Sequence, residues 1–174
     1  MKERITIRQE SREDCKKVFE VHRLAFAQDN EAKLVDALRK NPAAFVPELS
    51  IVAVEGDQVV GHILFTRIAI VGQQEHVSLA LAPMAVLPDH QCAGIGGLLV
   101  RKGLETARAA GFRSVIVLGH EHYYPKFGFA PAERWQVKAP FEVPSAAFMA
   151  IELVPLGLKD VSGTVRYPKE FEGV

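Results

Sequence analysis

"PDHQCAGIGGLLVRKGLETARAAGF", residues 88–112, opens on a proline turn, passes Gly94, Gly96 and Gly97, and becomes a helix. A glycine turn leading into a helix is the outline of an anion site. The first N–H groups of a helix have no intrahelical acceptor, and the helix dipole is positive there. Glycines let an anion approach that backbone without a side chain intervening. Three occupants compete: a nucleotide phosphate, the phosphates of another cofactor, or none, the turn then serving only to pack a helix against a sheet. A P-loop needs GxxxxGK[ST], and Gly-Lys-Ser/Thr does not occur here. A dinucleotide fingerprint needs GxGxxG, but Gly94-Ile95-Gly96-Gly97-Leu98-Leu99 puts leucine where the third glycine belongs. NAD and ATP are therefore weakly supported.

Working outward, Gly96, Leu99, Val100, Gly103, Leu104, Ala107 and Ala110 share one face of the helix, with Arg101, Glu105 and Arg108 opposite. Gly111 ends it. The apolar run "SVIVLG" at 114–119 then suits a parallel, buried strand. Upstream, "LSIVAVEGDQVVGHILFTRIAI" is two strands around Gly56-Asp57, and "EHVSLALAPMAVL" is a third, antiparallel to the second. Pro83 lies inside that third strand. It has no N–H to donate, so it predicts an edge or a bulge.

The first strand spans Arg4 to Arg8. Ser11 and Asp14 form a capping-box start for a helix with Cys15, Val18, Phe19, His22, Ala25 and Phe26 on its stripe. A second helix runs from Glu31 to Lys40 and stops at Asn41-Pro42. After residue 119, "HEHYYPKFGFAPA" predicts a turn running into a strand at Phe127-Gly128-Phe129, and "AAFMAIELVP" is a last strand. Gly157 to Val174 predicts a loosely structured tail. The order is that of a mixed α/β sheet with helices on both faces.

The 174 residues suit a single domain over 1–174, and a 48% hydrophobic composition predicts one sizeable core. Lys plus Arg and Asp plus Glu each number 21, so no overall basic footprint for nucleic acid exists. Cys15 and Cys92 are too few and too far apart for a disulfide framework, and they fit a reducing cytoplasm. Met1-Lys2-Glu3-Arg4-Ile5 opens no apolar signal segment, and no apolar run approaches the ~20 residues a membrane helix needs.

Gln91-Cys92-Ala93-Gly94-Ile95-Gly96 fits the Q/R-x-x-G-x-G/A motif of the GNAT superfamily of acetyltransferases. Tyr123-Tyr124-Pro125-Lys126-Phe127-Gly128-Phe129 resembles that superfamily's F-Y-x-K-x-G-F block. With "GHILFT", "MAVLPDHQ" and "GTVRYP", the chain resembles the YhbS-like branch over nearly its whole length. The resemblance implies a GNAT-type fold: a mostly antiparallel sheet with one parallel, splayed strand pair. It implies acetyl-CoA as cosubstrate, its pyrophosphate on the backbone N–H groups of Gln91, Cys92, Ala93, Gly94, Ile95, Gly96 and Gly97. Met84, Ala85 and Val86 would offer backbone groups to the pantetheine arm, as one more strand would. Met84 or Ala85, depending on pleat, would supply the oxyanion N–H. Pro83 would mark where the two strands part. Positions 92 and 93, often Gly and a basic residue in relatives, are Cys92 and Ala93 here, so phosphate binding would lean on the backbone.

The same resemblance makes Tyr124 the acid for the departing thiolate, while Tyr123 packs. Direct transfer needs no catalytic thiol, so Cys92 is not a nucleophile. For the base, His120 and Glu121 stand near the expected mouth. His120-x-His122 invites a metal, but no third ligand is nearby, and no metal is expected. His62 is structural and His90 belongs to the turn. Asp29 and Glu31 suit a cationic acceptor, and Trp135 and Phe141 line the far wall. The expected partners are a small-molecule or peptide amine and a second copy of the chain, met through "VSGTVRYPKEF"; no nucleic acid or membrane is expected. The alternative is a non-catalytic acyl-CoA-binding or sensing module on the same fold.

Overall fold

The computed structural model describes residues 4–172. Met1-Lys2-Glu3 and the end of the 157–174 tail lie outside the described residues. Strand β1 is Ile5–Gln9. Ser11 N–H and Oγ–H both donate to Asp14 Oδ2, at 2.7 and 3.0 Å, and Arg8 clamps the same carboxylate at 2.7 and 3.1 Å. The cap starts a short 3-10 turn, Arg12–Asp14, that leads into α1, Cys15–Phe26. Helix α2 is Asn30–Arg39. Strands β2 (Phe45–Glu55) and β3 (Gln58–Val71) form the expected hairpin, with Gly56 left-handed at φ 58°. They are followed by β4 (Glu75–Val86), α3 (Ile95–Ala109) and β5 (Ser114–Leu118). The short strands β6 (Ala130–Pro131), β7 (Val137–Lys138), β8 (Phe148–Glu152) and β9 (Gly163–Arg166) complete the sheet.

Along its main path the sheet runs β1-β2-β3-β4-β5-β8-β6, antiparallel except for the parallel pair β4–β5; off that path, β9 runs antiparallel to β3 and parallel to β7. Period-two alternation sorts its two faces. Ile51, Ala53, Ile63 and Phe65 pack under α3, whereas Val52, Val54 and Leu64 pack under α1 and α2. Among the described residues, no helix is long and apolar enough to cross a membrane.

Three expectations change. Phe127-Gly128-Phe129 is not a strand: Tyr124–Phe127 is a 3-10 turn that Gly128 ends at φ 107°, and pairing begins only at Ala130. The region after Gly157 is not loose throughout, because β9 pairs with Ala69–Val71 of β3 and with β7. β3 outruns β2, whose pairing stops at Phe45↔Thr66, and the exposed edge beyond it is what β9 covers. Of the segment expected to meet a second copy, Gly163–Arg166 pairs within its own sheet. On α3, the first buried turn is Ile95 and Gly97, and Ala110 is exposed.

Gly103 shows why the α3 stripe is small. A Cβ there would stand 2.0 Å from Phe65 Cε2 and 2.5 Å from its Cζ. Phe65 is fully buried and has nowhere to move. Alanine would gain ~1 kcal/mol of helix propensity, but overpacking of this kind costs ~1–3 kcal/mol or more. Gly103→Ala should therefore lower the thermal midpoint by several degrees, and adding Phe65→Leu should restore part of it. A midpoint at or above the parent's would show that the helix stands further from the sheet.

Candidate active site

Strands β4 and β5 pair only at Leu79↔Val115 and Ala80↔Ile116. Beyond these residues they part, and Pro83 lies in the unpaired stretch. On its other side β4 is irregular against β3, with a register break between Ile63 and Phe65. A residue without an N–H fits a backbone that parts from β5 and skips one step of the β3 ladder before rejoining it at Met84. Between the parted strands lies a cavity of ≈ 630 Å³, whose wall includes Ala82, Pro83, Met84, Gly119, His120 and Tyr124.

The pleat settles which β4 residue faces the gap. Leu87 N–H donates to Val60 O at 2.8 Å, so residue 87 points to β3, as does Ala85 two residues earlier. Met84 and Val86 therefore point the other way. Consistent with this, Gln91 Nε2–H reaches Val86 O at 3.0 Å. With Val86 O taken, Met84 presents the free peptide groups beside the cavity. Met84, not Ala85, has the geometry of an oxyanion donor.

The loop before α3 has an open backbone. Gln91 N–H makes one long bond, 3.4 Å to Pro88 O, and the first helical bond is Leu98 N–H to Gly94 O at 3.2 Å. The N–H groups of Ile95, Gly96 and Gly97 precede that bond and have no helical acceptor. Gly94 is left-handed at φ 85°, with nothing near its missing Cβ. A Cβ on Gly96 would come 3.0 Å from Tyr123 Oη. Cys92 is exposed and also left-handed, at φ 61°. That backbone costs a non-glycine residue ~1–2 kcal/mol, which explains why glycine suits the position. Cys92→Gly should leave the denaturant midpoint level or raise it, whereas Cys92→Val should lower stability by at least ~1 kcal/mol. Equal midpoints for the two variants would show that the loop relaxes out of this conformation.

Tyr124 is 8% exposed and lines the cavity. Its ring packs edge-on against Tyr123 and Phe129, at 5.1 and 5.7 Å between centroids. Burial, with Tyr123 adding to it, pushes its pKa up to about 12, so the phenol keeps its proton across the neutral range. Gly119 makes room for this ring: a Cβ there would lie 2.5 Å from Tyr124 Cε2. Tyr123 belongs to the core under α3, with Lys126 Nζ 4.0 Å above its ring.

His120 lines the cavity and is exposed. Its carbonyl accepts the N–H groups of Tyr123 and Tyr124, at 3.0 and 3.4 Å, so the histidine and the tyrosine are tied together. Glu121 and His122 turn to solvent, 3.4 Å from each other. No group of three metal-ligating side chains exists among the described residues. His62 is sealed in the sheet interior, bonded to His22 and Ser50. His90 sits in the turn, 3.2 Å from Glu55.

Glu31 and Phe141 reach the cavity wall. Asp29 and Trp135 do not: Asp29 stands at the N-cap position of α2 without a side-chain capping bond, and Trp135 packs against a separate cluster under β8. Sequence reasoning missed Phe26, Leu34, Tyr167 and Phe171 as wall residues. Phe26 and Leu34 read as core stripe, and the last two sat in a segment with no periodic signal.

The pattern of the acetyltransferase (GNAT) family matches residues 10–129. The chain belongs to that family. It is 41% identical over 133 residues to the uncharacterized N-acetyltransferase YjhQ of Escherichia coli K12, covering 75% of this chain and 73% of that one. Among solved structures, YhbS from Escherichia coli, a GNAT family N-acetyltransferase in complex with CoA, superposes with a TM-score of 0.89 at 30% identity, covering 97% of this chain and 92% of that one. A GNAT family acetyltransferase from Brucella melitensis in complex with acetyl-CoA gives a TM-score of 0.78 at 34% identity, over 97% and 99% of the two chains. The mixed GNAT sheet, with its parallel β4–β5 pair, is therefore the fold expected of this acetyltransferase.

Proposed function

We propose that this acetyltransferase moves the acetyl group of acetyl-CoA directly to a primary amine in a ternary complex, with Tyr124 as the acid. The observation that carries this is a buried, protonated phenol lining a cavity between two parting parallel strands. The complexes of YhbS with CoA and of the Brucella acetyltransferase with acetyl-CoA support the choice of donor. The pyrophosphate rests on the backbone from Gln91 to Gly97, and β4 from Met84 to Val86 holds the pantetheine arm. Gln91 contributes by bracing Val86 O.

In this mechanism the amine nitrogen attacks the thioester carbon, and Met84 N–H donates to the oxygen as it gains charge. The C–S bond breaks and the Tyr124 phenol donates its proton to sulfur. A phenol held near 12 is a weak acid, but the same apolar wall raises the proton affinity of a leaving thiolate. His120, at the mouth, takes the proton that the ammonium group loses before attack, directly or through water, and the proton shed by the nitrogen after attack restores the Tyr124 phenol. An imidazole ring nitrogen with a free lone pair can take up such a proton.

The test is thiol release from acetyl-CoA on adding a panel of primary amines. Amine-dependent release supports transfer. Tight acetyl-CoA binding without release to any amine would replace this reading with a non-catalytic acyl-CoA-binding module.

A further inference from the structure

The acceptor end of the cavity has a distinctive wall. Four aromatic rings line it: Phe26 from α1, Phe141, Tyr167 just after β9, and Phe171. Phe141 and Tyr167 stack at 6.2 Å and 19°, and Tyr167 meets Phe171 at 5.1 Å. Phe26 and Phe141 are still 40% and 47% exposed, so apolar ring surface remains uncovered. Among the described residues, Glu31 is the single carboxylate in the wall, and no lysine or arginine lines it. Gln28 Nε2 holds that carboxylate at 2.8 and 3.1 Å.

We infer that the acceptor is a small primary amine joined by a short linker to an aromatic ring, with no carboxylate beside the amine. This rests on the N-acetyltransferase reading above and names the substrate of that same site. An alkylamine with a pKa of ~10.4 arrives as an ammonium ion. Glu31 and the faces of the surrounding rings attract that cation. An aromatic body covers the exposed faces of Phe26 and Phe141. A free amino acid brings a carboxylate that meets Glu31 and finds no cationic partner in the wall. A polyamine must place its further charges against rings, with one carboxylate to share. The ≈ 630 Å³ cavity also takes the thioester end of the donor, which favours a compact acceptor.

The experiment compares phenethylamine, phenylalanine, phenylalaninamide, ethylamine and spermidine as acceptors, by initial rates of thiol release from acetyl-CoA. Phenethylamine should exceed ethylamine, phenylalanine and spermidine in kcat/KM by ~10-fold or more, and phenylalaninamide should recover most of what phenylalanine loses. Glu31→Gln should raise the KM for phenethylamine ~10-fold and leave that for acetyl-CoA unchanged. Phe141→Ala should erase the preference over ethylamine. Spermidine or phenylalanine turning over as well as phenethylamine overturns the inference and leaves N-acetyl transfer standing. So does a selectivity that neither variant alters. Acetyl-CoA binding, seen by calorimetry, with no thiol released to any amine removes both.

Discussion

Tyr124→Phe should bind acetyl-CoA as the parent does and turn over ~10²-fold more slowly or worse. The substitution removes one oxygen atom. The ring contacts to Tyr123 and Phe129 survive it, and among the described residues the hydroxyl has no hydrogen-bond partner to lose, so the fold should be as stable as before. The loss should appear in kcat, because the proton is needed only as the C–S bond breaks. It should also hold across the neutral range, since the parent phenol, pushed up to about 12, does not titrate there. Calorimetry of acetyl-CoA binding beside single-turnover rates separates the two effects. Undiminished turnover with an efficient amine would remove Tyr124 from the chemistry.

The second large effect is on stability. Glu10 Oε2 accepts the Ser50 hydroxyl proton at 2.8 Å, so Ser50 Oγ must accept from His62 Nε2–H at 2.9 Å. A neutral His62 then offers its Nδ1 lone pair to His22 Nε2–H at 2.8 Å. His22 Nδ1 is left buried without a partner. Each link fixes the tautomer of the next. The chain needs a neutral His62, whose Nδ1 must accept, and a proton on His22 Nδ1 would be buried with no acceptor. Burial first, and then Arg39, lowers His22 to about 4, while burial, His22 and Arg39 hold His62 well below its ordinary value.

Between the folded and unfolded pKa values the unfolded chain binds more protons, so stability rises with pH in that window and is lost as pH falls through it. For His22 the window runs from 6.5 down to about 4, worth about 3 kcal/mol at one pKa unit per ~1.4 kcal/mol. Urea midpoints should therefore drop steeply between pH 7 and 5. His22→Gln, which cannot take up a proton, should make that slope shallower, with His62 supplying what remains, even if it lowers stability at pH 7. A parent midpoint level over this range would sink the account. The Asp14–Arg8 pair does not confuse the result. Asp14 is held at about 2, so its contribution is lost only below its ordinary value of 3.8.

Much of this was legible in the chain because it is local. Gly56-Asp57 between alternating runs specified the hairpin. Pro83 marked the bulge where β4 breaks register with β3 and parts from β5. Gln91 to Gly97 and Tyr123 to Phe129 carried motifs whose spacing needs no knowledge of distant residues. What was misread depends on partners far away. β9 is too short to be a strand alone and exists because β3 outruns β2. Gly103 and Gly119 look like ordinary glycines until Phe65 and Tyr124 occupy the space where their side chains would be. The His22–His62 pair joins residues 40 positions apart, and no periodicity announces it.

By itself, then, the sequence determined the α/β order, the glycine turn and the tyrosine block, since turns, amphipathic periods and short motifs are written within a few residues of one another. Only the tertiary structure decided that Met84 rather than Ala85 opens toward the gap, that Glu31 shares a wall with Phe26, Phe141, Tyr167 and Phe171, and that two histidines lie sealed and neutral beneath α1. Those outcomes follow from strand register, from which helix covers which face, and from how far water is excluded. All three are properties of the packed chain.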